Sequence, residues 1–353
     1  MRVSNPAAVH ARTAREVERA VAEVLRGGWW VGGPALQRAE EALAAAVGTP
    51  HAVGTGSGTA ALQRTLEALG IGPGDEVVVP AVSFVATGTA VLRTGARPVV
   101  VDVLPGLPLI DPTAVQAALS PAVKAVVPVA LFGNAAPAIA LPDGIHRVCD
   151  AAQAMGRTAP LPPAMAYTYS FYPTKVLPAS GDAGLVATHD PTLAQRVRSL
   201  GLHGRAPDGS FHKVGPTVAG NDRMDAIQAA ILQARLPDLA PRVAHRRRLL
   251  ARYRHHLPQV VLPHDPGSNV AVVAAVHPHR DRLRAGLSER GIHTGCYYPL
   301  PLSDEPVLAD ARVPAPTPRA HDFCTTCFAL PCHIGLTEAH VDHICGVLLE
   351  LLP

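Results

Sequence analysis

The chain has 353 residues, of which 48% are apolar and 17% are charged, and its formal net charge is only +3. This length exceeds one average domain and is enough to build a large buried core, so we expect one large and one small lobe. The first residues lack the pattern of a signal peptide, and no apolar run is long enough to cross a bilayer. The six cysteines are irregularly spaced. Together these features favour a cytoplasmic protein with reduced thiols and no membrane partner.

The first predicted elements are two helices. Apolar residues recur at helical spacing from Arg12 to Arg26, which predicts an amphipathic helix. A second helix is expected from Thr59 to Leu69, because a glycine-rich turn precedes it and Gly70 ends it.

Short β-branched runs come next, each apolar on both faces and separated by helical segments. Such runs are typical of parallel strands buried between the helices of a doubly wound sheet. The predicted strands of this kind are Val77–Val79, Pro98–Val101, Ala125–Val129 and Arg147–Cys149. Two further strands are expected at Tyr167–Phe171 and Leu185–Thr188.

The last part of the chain is helical at first and then mixed. Helical periodicity runs from Met224 to Leu250, with interruptions expected at Pro237 and Pro241. The three consecutive arginines 246–248 within it are expected on a solvated helix face, and we predict no nucleic-acid partner. Short strands and helices alternate over 260–353 and predict a smaller lobe.

Three features that suit chemistry occur where a predicted strand meets a loop. The turn Gly54–Thr59 leads into a helix, whose free N–H groups and dipole suit an anion. Asp150 ends a buried strand, where a carboxylate is costly unless it meets a cation. Lys175 lies in a loop after another strand. Each alone has an ordinary explanation: a tight connection, a helix cap or a solvated charge. Together they match the phosphate, ring nitrogen and aldehyde of pyridoxal phosphate (PLP), so we predict a PLP site.

Many segments, in order along nearly the whole chain, carry a family resemblance. They are Ser57–Leu62, Gly72–Val77, Ser83–Thr87, Gly95–Asp102, Asp150–Ala154, Ser170–Lys175, Gly181–Gly184, Gly220–Met224 and Gln228–Ala230. With these segments the chain resembles the DegT/DnrJ/EryC1/StrS family of sugar aminotransferases. So many ordered matches are far more specific than any one of them.

The resemblance implies roles for individual residues. Lys175 would form the internal aldimine with PLP and shuttle protons, and Asp150 would pair with the pyridine nitrogen. Gln153 would reach the ring hydroxyl, and Phe84 would lie against a ring face. The residues expected at the phosphate are Ser57, Gly58, Thr59, Ser170 and, from a neighbouring subunit, Asn221.

The resemblance also implies an architecture. The fold class is α/β, the PLP-dependent transferase fold type I, with a mostly parallel seven-stranded sheet between helices and a smaller C-terminal α/β lobe. The expected domains are residues 1–30, an N-terminal helix packing with the small lobe, 31–240, the PLP-binding domain, and 241–353, the small domain. A homodimer with shared active sites follows from the expected role of Asn221.

The implied reaction moves an amino group, with glutamate expected as donor, to the keto group of a nucleotide-linked deoxysugar. Ala130, Tyr297 and Ser303 depart from the family pattern where sugar or nucleotide is expected, so an aminocyclitol or another natural-product ketone stays open. Two alternatives are disfavoured. A dehydratase of the same family would carry histidine in place of Lys175, and a non-catalytic PLP-binding scaffold would not need the intact acid, amide and lysine.

A zinc site is the competing interpretation of the C-terminal region. Cys324 and Cys327 have the spacing of a zinc half-site, and further cysteines and histidines follow. We expect no metal here, because the stretch lacks a closed four-ligand spacing.

Overall fold

The computed structural model describes residues 1–206, 210 and 218–352. Its first half alternates helices and strands: α1 (Pro6–Gly27), α2 (Gly33–Val47), β1 (His51–Thr55), α3 (Gly58–Ala68), β2 (Glu76–Pro80), α4 (Ala86–Arg93), β3 (Arg97–Val101), α5 (Pro112–Ala118), β4 (Val123–Val126), β5 (His146–Asp150), β6 (Ala166–Ser170) and β7 (Gly184–Thr188). The second half is mostly helical: α6 (Pro191–Leu200), α7 (Ala226–Arg235), α8 (Leu239–His256), β8 (Val273–Val276), α9 (Arg280–Glu289), α10 (Pro318–Thr326), β9 (Cys327–Leu330) and α11 (Glu338–Leu351).

Strands β1 to β7 form one sheet in the order β1-β7-β6-β5-β4-β2-β3. The neighbours from β6 to β3 pair in parallel, whereas β7 runs antiparallel to both β6 and β1. The mostly parallel seven-stranded sheet predicted from the sequence is therefore confirmed.

The central strands are buried on both faces, as their composition predicts. Val77 and Val79 of β2 pack into one core cluster, and Val78 between them packs into the cluster on the opposite face. All three are fully buried. Alternate side chains of a strand point to opposite faces, so a continuous apolar run requires a layer of helices on each side of the sheet.

The predicted interruption at Pro241 is wrong. Helix α8 begins at Leu239 and continues through Pro241 to His256, while Pro237 lies in a short 3-10 turn before it. Pro241 is in the first turn of α8, where a backbone N–H has no partner within the helix and its loss costs nothing.

The smaller lobe is built on β8 and β9, which pair antiparallel, with α8, α9 and α11 around a shared apolar cluster. The backbone of Met1 and Val3 bonds to this lobe, at His293 and Cys332 respectively. Helix α1 itself packs through Val24 on the alanines of α7. The domain bounds 1–30, 31–240 and 241–353 stay a prediction.

None of the helices in the described part of the chain is long and apolar enough to span a membrane.

Candidate active site

A cavity of about 620 Å³ lies at the edge of the sheet where the parallel strands end. Eight of the nine residues predicted for the site line it: Ser57, Gly58, Thr59, Phe84, Asp150, Gln153, Ser170 and Lys175. The ninth, Asn221, is exposed and is not part of this lining. The sheet thus gathers residues from four separate segments of the chain at one place.

Strand register explains this convergence. Thr55 of β1 and Ser170 of β6 both pair with Gly184 of β7, so the turn after β1 and the loop after β6 start side by side. Strand β5 pairs with β6 and ends at Asp150 at the same edge. The carboxyl ends of parallel strands are the usual ligand edge of such a sheet.

The carboxylate of Asp150 is buried and held by two donors. The hydroxyl of Thr87 lies 2.8 Å from Oδ2, and the backbone N–H of Ala152 donates to Oδ1 at 3.1 Å. Ser83 hydrogen-bonds to Thr87 at 2.7 Å and fixes that hydroxyl. Burial raises the pKa of Asp150, while both donors and the positive charge of Lys175 act to lower it. In the described residues no ion pair within 4.0 Å neutralises Asp150.

Lys175 lies in a tight turn after β6, where its backbone N–H bonds to the carbonyl of Tyr172. Burial lowers the pKa of its ammonium group, and the negative charge of Asp150 partly offsets that effect. A lysine with a lowered pKa has a larger neutral fraction, and the neutral amine is the form that attacks a carbonyl carbon.

The glycine-rich turn forms the start of helix α3. The hydroxyl of Ser57 caps the helix by accepting from the N–H of Ala60 at 3.0 Å. A Cβ on Gly58 would lie only 2.7 Å from the Cβ of Ser170, and one on Gly184 would overlap the carbonyl oxygen of Ser57. Both positions therefore require glycine, because a neighbouring segment comes too close to leave room for a side chain. The N-terminus of helix α3, which begins at Gly58, suits a phosphate.

Gln153 is fixed by two contacts. Its Oε1 accepts from the backbone N–H of Phe132 at 2.7 Å, and its Nε2 donates to the hydroxyl of Tyr298 at 3.1 Å. The ring of Tyr298 lies 5.9 Å from that of Phe84, between centroids. Burial raises the pKa of Tyr298, so its hydroxyl stays protonated near neutral pH.

Thr87, Ser83 and Tyr298 belong to the site but were not predicted from the sequence. Thr87 follows Ser83 by four residues, the spacing of one helical turn, and both lie in a segment that carried the family resemblance. That spacing could have indicated that the two hydroxyl groups lie close enough to hydrogen-bond to each other. Tyr298 follows Tyr297, and its contact with Gln153 depends on the approach of two segments that are distant in the sequence.

The basic triplet is not a solvated helix face. Arg246 and Arg247 donate to backbone carbonyls of the segment 266–271, and only Arg248 of the three is exposed. The sequence expectation is wrong because it considered α8 alone, whereas the loop before β8 covers this side of the helix.

The side chains suit PLP. Among the residues that the structure describes, no cation is in direct contact with the buried carboxylate of Asp150, and a protonated ring nitrogen would supply one. Lys175 borders the same cavity, and the helix start at Gly58 offers an anion site. Among the described residues, no group of three or more histidine, cysteine or acidic side chains is arranged to hold a metal ion.

Comparison with known proteins decides the family. The model of the DegT/DnrJ/EryC1/StrS aminotransferase family matches residues 12–349. The chain belongs to this family.

Two curated relatives are similar to this chain over most of its length. One is the dTDP-3-amino-3,4,6-trideoxy-alpha-D-glucose transaminase of Streptomyces venezuelae, 39% identical over 90% of this chain and 86% of the relative. The other is the UDP-2-acetamido-2-deoxy-3-oxo-D-glucuronate aminotransferase of Pseudomonas aeruginosa, 36% identical over 96% of each chain.

The solved structure of Streptomyces venezuelae DesV, in complex with a ketimine intermediate, superposes with a TM-score of 0.90. It is 34% identical to this chain, and the match covers 99% of this chain and 98% of DesV. The predicted fold class, enzyme class and cofactor are thereby confirmed: this family member is a PLP-dependent aminotransferase.

Proposed function

We propose that this aminotransferase takes an amino group from glutamate and places it on the keto group of a nucleotide-linked deoxysugar or a related natural-product ketone. One observation carries the proposal: Asp150 and Lys175 face one cavity beside a helix start that suits a phosphate. The names of the two curated relatives, both of which act on nucleotide-linked sugars, support this class of acceptor.

PLP would be held through its phosphate, its ring nitrogen, its ring hydroxyl and one face of its ring. Gly58 and Thr59 at the start of α3, with Ser57 and Ser170 beside them, would take the phosphate. Asp150 would face the ring nitrogen, Gln153 the ring hydroxyl and Phe84 one face of the ring. When bound, PLP accepts the electron pair that remains when the α-carbon of the amino donor loses its proton.

Lys175 supplies both the covalent link and the proton carrier. Its Nζ would hold the cofactor covalently until an incoming amino donor displaced it. The freed amine, whose pKa burial has lowered, would then take up the proton of the donor's α-carbon at Nζ.

Asp150 sets the charge of the site. Its carboxylate would keep the ring nitrogen of a bound cofactor protonated, and the hydrogen bonds from Thr87 and Ala152 hold the carboxylate in place. Tyr298 holds the amide of Gln153 from the side of the smaller lobe. The two lobes therefore both contribute to the cofactor pocket.

The half-reactions test the proposal. The purified enzyme with PLP should lose its long-wavelength absorbance when glutamate is added, as pyridoxamine phosphate forms. Candidate ketones are then offered one at a time, and a true acceptor restores the original spectrum. A spectrum that never responds to an amino donor would favour the non-catalytic scaffold. Loss of water from a sugar with no amino transfer would favour the dehydratase.

We propose further that the enzyme is a homodimer in which Asn221 completes the phosphate site of the other subunit. Asn221 is exposed and outside the cavity of its own chain. Trp29 and Trp30 are 65% and 57% exposed, and such adjacent aromatic side chains are typical of protein interfaces.

Mixed dimers test the shared site. Lys175→Ala and Asn221→Ala chains are inactive separately, but a mixed dimer has one site with both native residues. If chains exchange at random, a 1:1 mixture recovers about a quarter of wild-type activity. No recovery, with exchange verified by mass spectrometry, would place Asn221 outside the partner's site.

The proposed place of action is the cytoplasm. All six cysteines are free thiols, which suits a reducing compartment. We propose no nucleic-acid or membrane partner.

A further inference from the structure

Two arginines of α8 border the cavity. Arg242 and Arg246 lie four residues apart, so they share one face of the helix, and both are part of the cavity lining. The sequence predicted no role for Arg242 and a solvated position for Arg246.

Arg246 is a fixed cation without a counter-ion. Its Nε donates to the carbonyl of Val270 and its Nη2 to that of Ala271, each at 2.7 Å. These bonds hold the planar guanidinium in one orientation. Within the described residues Nη1 has no hydrogen-bond partner, and no carboxylate forms an ion pair with Arg246.

Arg242 adds positive charge beside it. Arg242 is only 3% exposed, and its Nε donates to Asp238 at 2.7 Å. Asp238 also pairs with Arg12, so its single negative charge is shared by two guanidinium groups. Nη2 of Arg242 is buried and has no partner in the described part of the chain.

Electrostatic effects on neighbouring groups agree with this excess of positive charge. Burial lowers the pKa of Arg242, the hydrogen bond and charge of Asp238 oppose that effect, and the charges of Arg12 and Arg246 add to the lowering. His333, which also borders the cavity, has its pKa lowered to about 4 by burial and in part by Arg246. His333 is therefore neutral near pH 7, and the half-buried Arg246, which no carboxylate of the described residues pairs with, suits an anionic ligand.

We propose that Arg246, supported by Arg242, binds a carboxylate of the dicarboxylic amino donor. This inference depends on the proposed transamination. The guanidinium of Arg242 donates to the carbonyl of Val176, the residue after Lys175. The two arginines therefore lie beside the loop that carries the reacting amine. A planar guanidinium with a free edge matches a carboxylate, which can accept two parallel N–H bonds.

Glutarate is the probe, because it carries two carboxylates and cannot react. Calorimetry on the PLP-loaded enzyme should show that Arg246→Gln weakens glutarate binding by about 10- to 100-fold, the effect expected when hydrogen bonds to a charged group are lost. Arg246→Lys keeps the positive charge but not the two parallel N–H donors of the guanidinium, and should weaken glutarate binding less. In the glutamate half-reaction the same variants should raise KM more than they lower the maximal rate.

Arg247→Gln is the matched control. Arg247 donates hydrogen bonds to the backbone carbonyls of Ser268 and Pro266 in the same loop, but it is not part of the cavity lining. An unchanged glutarate affinity in Arg246→Gln would overturn the proposal, and so would an equal loss in Arg247→Gln. A selective loss of uridine diphosphate binding would also overturn it, because the anion would then belong to the acceptor. Failure of the proposed function itself is seen separately, as a wild-type spectrum that does not respond to glutamate.

Discussion

The hydroxyl of Thr87 lies 2.8 Å from Oδ2 of Asp150 and joins helix α4 to the end of strand β5. Asp150 is buried, so each donor that it keeps offsets part of the cost of removing a carboxylate from water. Ser83 extends the chain of hydrogen bonds by one step. Thr87 thus positions the carboxylate of Asp150, and Ser83, which also lines the cavity, positions the hydroxyl of Thr87.

Replacing Thr87 by valine removes this donor but keeps the shape of the side chain. A buried acceptor that loses a partner costs about 1–3 kcal/mol. We expect Thr87→Val to lower kcat by about tenfold or more, since 1.4 kcal/mol corresponds to a factor of ten. Thr87→Ser, which keeps the hydroxyl, should stay near the wild-type rate. Equal kinetics for both variants would show that the hydroxyl is not needed.

Lys175→Ala should abolish the covalent link to PLP and reduce turnover by about a thousandfold or more, because the proton carrier is lost with it. The absorbance spectrum reports the link, and single-turnover kinetics report the rate. Lys124, an exposed lysine bonded to the carbonyl of Pro121, gives the control Lys124→Ala, which should behave as wild type. A fully active Lys175→Ala enzyme would contradict the mechanism.

The pKa of Asp150 gives a prediction for the enzyme stripped of PLP. Burial raises this pKa in the folded chain, so the folded state binds its proton more tightly than the unfolded chain does. The free energy of unfolding therefore falls as pH rises above the ordinary carboxyl range and through the raised pKa.

The Asp150→Asn variant has no such charge to bury. Without PLP it should melt at a higher temperature than wild type at pH 8, and the difference should shrink toward pH 4. Adding PLP should stabilise wild type more than the variant, since the ring nitrogen supplies the missing cation. Thermal unfolding at several pH values measures both effects, and a pH-independent difference would contradict this assignment.

Gly184 tests the close approach beneath the phosphate site. A Cβ there would overlap the carbonyl oxygen of Ser57, so Gly184→Ala must push β7 and the start of α3 apart. We expect a loss of about 1–3 kcal/mol in the free energy of unfolding and weaker retention of PLP.

Gly346→Ala is the matched control for Gly184→Ala. Gly346 lies within α11, and a Cβ there would meet nothing within 4 Å. Alanine should stabilise the helix by about 0.5–1 kcal/mol. Denaturant titration compares the two, and an equally harmless Gly184→Ala would show that the turn has room to move.

The sequence by itself determined the buried strands and the identity of the reactive groups. The β-branched run Val77–Val79 predicted a strand that is observed as Glu76–Pro80, because a run buried on both faces leaves few other solutions. The acid, the lysine and the glycine turn were recognised because each lies where a predicted strand meets a loop, and the family resemblance then implied their roles. Each of these signals is contained in a short segment of the sequence or in the order of such segments along the chain.

Tertiary structure alone decided which segments meet. The pairing of Thr55 and Ser170 with Gly184 requires the reversed direction of β7, which no local pattern encodes. The place of Arg246 was equally hidden, since the same helical periodicity fits a solvated face and a cavity wall. The loop before β8 covers that face, and long-range contacts of this kind depend on the packing of the whole chain.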